Sequence, residues 1–457
     1  MSIDVVCYRV LIHMNSELLQ QVRILDPVSR TDRLADVLIA SGSIKAVETK
    51  ISHFPVDTSV RNCQGLILGP GLVDLYSHSG EPGYEQRETL SSLLSAAAAG
   101  GFTRLSILPD TLPPLDNLAG LALLNQKQQA VKAQKDGEQD KFSLSPPFLN
   151  YWGALTQGIE GQQMTELSEL AAAGVIGFTD GAPLANLALV RRLLEYLQPL
   201  GKPVALMPYD SQLAGEGVIR EGIQSIRLGL SGSPAVAESA ALAALLEVVA
   251  AVGTPVHFMR ISTSRSVQLI AEAKARGLPI TASTTWMHLL LNTEDLSSYH
   301  PNLRLEPPLG NPVDQRILLQ GIREGIIDAI AIDHTPYTYE EKTVSFAQAP
   351  PGVIGLELAL PLLWHYLVEK GDWSALELWQ SISTNSAICL GQTPAAIAPN
   401  QPAELVLFDP QKTWRVDRQT LKSHSANTSW LEQQLTGCVV RNWCNTTRLS
   451  SKLLVEG

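Results

Sequence analysis

The tripeptide Tyr76-Ser77-His78 closes a run of apolar residues that begins at Leu72. Residues two apart on a β-strand point to the same face, so two imidazoles in these places would grip one divalent cation from a single strand end. Only one of the two is His, and a phenol does not replace a neutral imidazole as a ligand. Another apolar run closes on Asp333-His334. A carboxylate there could bind a cation, move a proton, or simply bond backbone or a nearby Arg.

Such residues need a frame that gathers strand ends. Apolar runs recur at 72–78, 103–108, 148–155, 175–180, 203–209, 255–261, 279–285 and 329–333, each followed by a helix-type stretch. Parallel strands buried on both faces read as continuous apolar runs, and eight strand-helix units close into a (β/α)8 TIM barrel whose reactive groups lie at the C-terminal strand ends. Well-marked helices over 91–99 and 235–252 end at Gly100-Gly101 and Gly253. The charged stretch 126–141 reads as helix followed by exposed loop, with a solvated face. Short β-type runs at 5–9, 22–24, 36–39 and 44–47, punctuated by Asp26-Pro27 and Ser41-Gly42-Ser43, predict a small antiparallel sheet. Runs 403–410 and 438–442 return to that style, so both termini are expected to build one β-sandwich. The expected division is 1–67 and 396–457 for the sandwich and 68–395 for an α/β barrel.

Composition sets outer limits. A chain of 457 residues with 45% hydrophobic content can bury a large core. A net charge of -11 without Lys/Arg clusters argues against nucleic acid or an anionic membrane as partner. No run of about 18 uncharged apolar residues occurs, and the N-terminal residues lack a leader pattern, so a cytoplasmic location is expected. Cys7, Cys63, Cys389, Cys438 and Cys444 are scattered without Cys-x-x-Cys spacing, which suits reduced thiols better than a disulfide frame or structural zinc.

Gly69-Pro70-Gly71-Leu72-Val73-Asp74-Leu75, Glu81-Pro82-Gly83 and Ala97-Ala98-Ala99-Gly100-Gly101-Phe102-Thr103 resemble the dihydroorotase family, cyclic amidohydrolases of pyrimidine synthesis. Gly177-Phe178-Thr179-Asp180-Gly181, Glu221-Gly222, Ser262-Thr263, Ile332-Asp333-His334 and Gly355-Leu356-Glu357 extend the resemblance, in the family's order, over nearly the whole chain. The resemblance implies an amidohydrolase-type barrel and one or two zinc ions held by four His, a strand-eight Asp that also shuttles protons, and a bridging carbamylated Lys or Asp. Carried onto this sequence, the first His pair is Tyr76 and His78, the bridging acid is Glu166, the strand-five His is Met207, the strand-six His is Arg260, and the Asp persists as Asp333. His78, Glu166 and Asp333 remain as a remnant metal set, with Asp333 the remnant general base.

Disturbing a partner behind the ligands already costs roughly 10- to 100-fold in metal affinity. Losing three imidazoles costs more, so the expectation is no cofactor, or zinc held only weakly, with Arg260 pairing Asp333 or Glu166 in the vacated site. The family's substrate clamp fares no better, its Arg, Asn, Asn and His positions being Gly80, Asp110, Glu306 and Tyr337, with Gly310 at a nearby Arg position. His257, His288, His300 and His365 read as packed or surface residues, and Ser77, Ser79, Thr284 and Thr285 as a polar lining without a Ser-His-Asp arrangement.

Three readings follow. In the first, the chain is a noncatalytic dihydroorotase-like protein, homo- or hetero-oligomeric, that associates with aspartate carbamoyltransferase, as the resemblance implies for such members. In the second it is an active hydrolase of dihydroorotate or another cyclic amide or ureide, using a rebuilt one-metal site. In the third it senses a small molecule at the barrel mouth.

Overall fold

The computed structural model describes residues 16–136 and 144–444. Eight parallel strands form the barrel: Leu72–Val73, Phe102–Ile107, Phe148–Gly153, Gly177–Phe178, Ala205–Leu206, Val256–Phe258, Ile280–Thr285 and Ala329–Ala331. The first four pair in order, as do the last four. A parallel bridge between Phe178 and Val204 joins the two groups. The ring closes where Asp333 N–H donates to Tyr76 O at 3.2 Å and His78 N–H to His334 O at 2.8 Å. Every residue of Phe102–Ile107 is buried, which explains its unbroken apolar character.

The helix Leu90–Ala99 begins at Thr89, whose side chain accepts the Ser92 N–H, and ends at Gly100. A Cβ at Gly100 would lie 1.9 Å from the Leu356 carbonyl, so the turn into the second barrel strand admits no larger residue. The helix Val236–Val252 likewise ends where Gly253 adopts φ 80°. The helix Leu118–Asp136 covers most of the charged stretch, whose expected loop lies outside the described residues.

Strands near both ends of the described residues meet, as expected, in a separate β-layer. Among the described residues its seven strands pair in the order Gln434–Trp443, Leu405–Arg415, Ile67–Pro70, Ser16–Asp26, Thr31–Ala40 and Ser43–Glu48, with Ser59–Asn62 beside Ser16–Asp26. The expected run 5–9 lies outside the described residues, as does Cys7. Leu19, Val22, Val37, Ile39, Leu405 and Leu407 form one buried cluster, so strands from both ends share a core. Ser41 and Gly42, with φ 53° and 67°, make the tight turn before Ser43.

A buried fork fastens this layer to the barrel. Arg104 of the second strand donates Nε–H and Nη2–H to Glu404 at 2.7 and 2.8 Å, and Thr103 adds a hydroxyl at 2.9 Å. Cys63, Cys389 and Cys438 carry free thiols, and no helix among the described residues is long and apolar enough to cross a membrane.

Candidate active site

The C-terminal strand ends open into a cavity of about 370 Å³, and Arg260 occupies its floor. Its Nε–H and Nη2–H donate to Asp333 Oδ2 and Oδ1 at 2.8 and 2.7 Å, a bidentate fork. Nη1–H donates to Gly181 O at 2.8 Å and reaches the Met207 sulfur at 3.4 Å. Nη2 lies 3.1 Å from His78 Nε2. Only 7% of the Arg260 side chain and 16% of Asp333 are exposed, so water screens this pair little. Burial alone would raise the Asp333 pKa, but the Arg260 charge, with hydrogen bonds from His78 and Arg260, holds it well below the usual carboxylate range. A carboxylate so held is a poor proton acceptor near neutral pH.

His78 has a second acidic partner, since its Nδ1 lies 2.5 Å from Asp110 Oδ2. Burial pushes the imidazole pKa down, yet the charges and hydrogen bonds of Asp110 and Asp333 outweigh it and lift the pKa to about 9. The close Nη2 contact suits a neutral ring, whereas the two carboxylates, at 2.5 and 3.6 Å, suit the imidazolium. Two full negative charges decide the balance. Arg260, His78, Asp333 and Asp110 thus form a closed set with no net charge.

Beneath this set, Tyr76 is fully buried. Its hydroxyl accepts the Arg260 N–H at 3.1 Å and shares a 2.9 Å hydrogen bond with Ser283, whose Oγ also bonds His257 Nε2 at 2.9 Å. His257 Nδ1 continues to Thr281 at 2.9 Å. Burial, then the Lys274 charge, pushes His257 down to about 3, so a neutral ring sits between two hydroxyls. Asp74 is fully buried, and burial, only partly offset by hydrogen bonding with Ser77, pushes it up to about 7.

Several expectations need correction. Glu166 does not join His78 and Asp333. It is exposed at the start of the helix Leu167–Ala172 and lines a different depression, with Asp116 and Glu169. Just beyond the fourth strand lies Thr179, whose hydroxyl is 3.6 Å from the Met259 sulfur. Asp110 does not face a substrate as a bare charge, because it is the counter-ion of His78. A Cβ at Gly80 would lie 2.4 Å from the Glu88 carbonyl, so this loop has closed over the space where a clamp Arg would start. Gly310 packs against Asp314 and Ser262 and does not line the cavity. Glu306 and Tyr337 do line it.

Among the polar candidates only Thr285 reaches the cavity, bonding His288 Nδ1 at 2.7 Å; Ser77 accepts the His334 N–H, Ser79 donates to Glu81 O, and the buried Thr284 hydroxyl has no partner among the described residues. His288 is 2% exposed and lines the cavity, His300 caps Pro301–Leu303, and His365 pairs with Glu369. Sequence reasoning missed the Asp110 partnership and the Tyr76-Ser283-His257 chain. The second had a signal, since His257 pairs with Thr281 on the neighbouring strand and Ser283 is two residues further along.

The residues present do not fit the zinc that the resemblance implies. Among the described residues no three His, Cys, Asp or Glu side chains converge on one point. The surviving nitrogen and oxygen donors are already engaged by a guanidinium and a carboxylate.

No protein-family model matches the chain. It is 45% identical over 443 residues to a probable dihydroorotase-like protein of Synechocystis sp., covering 93% of this chain and 99% of that one. It is 35% identical over 424 residues to a dihydroorotase of Pelobacter propionicus, covering 93% and 96%. This chain belongs to the dihydroorotase family. Among solved structures, L-hydantoinase from Arthrobacter aurescens superposes with a TM-score of 0.78 at 20% identity, covering 94% of this chain and 97% of the other. A D-hydantoinase from Thermus sp. gives 0.72 at 21% identity, covering 93% of each. These two show the shared barrel fold. Within that barrel this dihydroorotase-family protein places a guanidinium at the centre of its strand ends.

Proposed function

We propose that this protein is a noncatalytic dihydroorotase-like chain of pyrimidine biosynthesis, acting in the cytoplasm as a structural or regulatory partner of aspartate carbamoyltransferase. The observation that carries the noncatalytic reading is the fork between Arg260 and Asp333. It engages both oxygens of the carboxylate that the family's chemistry needs free, and it puts a fixed positive charge where a cation would bind. The altered clamp supports the same reading, because Glu306 lines the cavity with a carboxylate and Asp110 is engaged by His78, so neither supplies the donors that an anionic substrate would need. A rebuilt one-metal site would require Glu166 beside His78, and Glu166 lines a separate depression. The choice of partner rests on the family resemblance. Purified protein equilibrated with zinc and then desalted should retain well under one ion per chain, and it should co-elute with the matching aspartate carbamoyltransferase. Stoichiometric retention counts against the first half of the proposal, and separate elution at micromolar concentrations against the second.

A further inference from the structure

We infer that Arg260 is a built-in cation that takes over the mechanical role of a metal at the barrel mouth, tying strand ends together without an ion. The inference deepens the noncatalytic reading by giving the replaced residues a task. A metal in a barrel mouth couples strand ends by sharing their donors, and a guanidinium does the same through N–H groups fixed in one plane. Arg260 stands just beyond the sixth strand, Val256–Phe258. It reaches Asp333 beyond the eighth strand, Gly181 O beyond the fourth, the Met207 sulfur beyond the fifth and His78 beyond the first. Asp333, the Gly181 carbonyl and the Met207 sulfur each offer it a lone pair, as they would a metal cation, and the protonated His78 joins the set through Asp333.

The backbone points the same way. Arg260 and Asp333 adopt φ 55° and 53°, a left-handed conformation that residues other than Gly hold only where surroundings impose it. The Tyr76 hydroxyl accepts the Arg260 N–H at 3.1 Å and is itself anchored to Ser283. Tyr76 is therefore a positioning residue for the guanidinium. The substitutions at 76, 207 and 260 make sense as one set, since each supplies part of a single tie.

The test is thermal denaturation of the full chain and of the Arg260→Met, Arg260→Lys, Tyr76→Phe and Arg260→Met/Asp333→Leu variants, each with added Zn2+ and with a chelator. Wild type should melt at the same temperature under both conditions. Arg260→Met should lower Tm by roughly 3 to 5 °C, because it strands a buried carboxylate. Arg260→Lys keeps the charge but loses the fork, and should recover less than half of that fall. The double variant should recover part of it, having no stranded charge, and Tyr76→Phe should lose less than Arg260→Met. An Arg260→Met protein as stable as wild type, an Arg260→Lys protein as stable as wild type, or a chelator-induced fall in the wild-type Tm would each overturn the tie. If Arg260→Met does not fold, Arg260→Lys and Tyr76→Phe decide by the same criteria. Turnover of dihydroorotate would refute the noncatalytic reading and leave these melting temperatures to judge the tie.

Discussion

Arg260 meets both oxygens of Asp333, and His78 lies between Asp333 and Asp110. The charges are complementary as a group, so changing one alters the others. His78 gives a direct reading of this. Its folded pKa is raised from 6.5 to about 9, so its contribution to stability is fully present below 6.5 and is lost as pH rises through about 9. An NMR titration of the imidazole should show that midpoint, and Asp110→Asn should move it downward by more than one unit. A wild-type midpoint near 6.5 would mean that the two carboxylates do not act on the ring as described. A second prediction concerns the vacated ligands. The combined Tyr76→His, Met207→His and Arg260→His protein should take up more zinc than wild type, as metal analysis would show, yet gain no comparable turnover of dihydroorotate. Wild-type protein that already holds as much zinc would contradict the assignment of these positions.

The element that closes the site most firmly is the loop between the first strand and the helix Leu90–Ala99. Gly80 lies against the Glu88 backbone, so Gly80→Arg should destabilise the fold rather than rebuild a clamp, costing about 2 to 4 kcal/mol in chemical denaturation. Glu88 itself is fully buried, accepts hydroxyls from Ser92 and Ser423 and the His424 N–H at 2.9 Å, and faces His334 Nε2 at 3.5 Å. It latches the C-terminal segment around 423–427 over the eighth strand's end. Glu88→Ala should cost about 3 kcal/mol and speed proteolytic cleavage in that segment; an unchanged cleavage rate would remove the latch from the account. The barrel strands were legible in the sequence because parallel strands buried on both faces leave unbroken apolar runs. The excursion after strand five was not, since Ser211–Ala214, Ile219–Arg220, Ile223–Leu228 and Gly232–Ser233 are too short to show a period. Tyr76, Met207 and Arg260 were legible as altered ligand positions through the resemblance to the dihydroorotase family, which sets them at strand ends. Glu166 was misplaced because a residue at a helix start can face any direction, and Asp110 was misread because its partner His78 is reached only through the fold.

For the molecule as a whole, the barrel frame and the terminal layer are intact, joined through Arg104 and Glu404 and closed around large cores. The alterations concentrate at the mouth, where ligand and clamp positions changed together. A different metal would require new donors at the same strand ends, and those ends carry a phenol, a thioether and a guanidinium. On the proposed noncatalytic reading, this is a family member whose architecture outlasts the features that the family's chemistry requires. The most direct measurement is a dihydroorotate hydrolysis assay on the purified chain pre-incubated with excess Zn2+, run in both the ring-opening and ring-closing directions. No turnover above the uncatalysed background is expected in either direction. Sustained turnover by the wild-type chain that Asp333→Asn abolishes would contradict the noncatalytic reading.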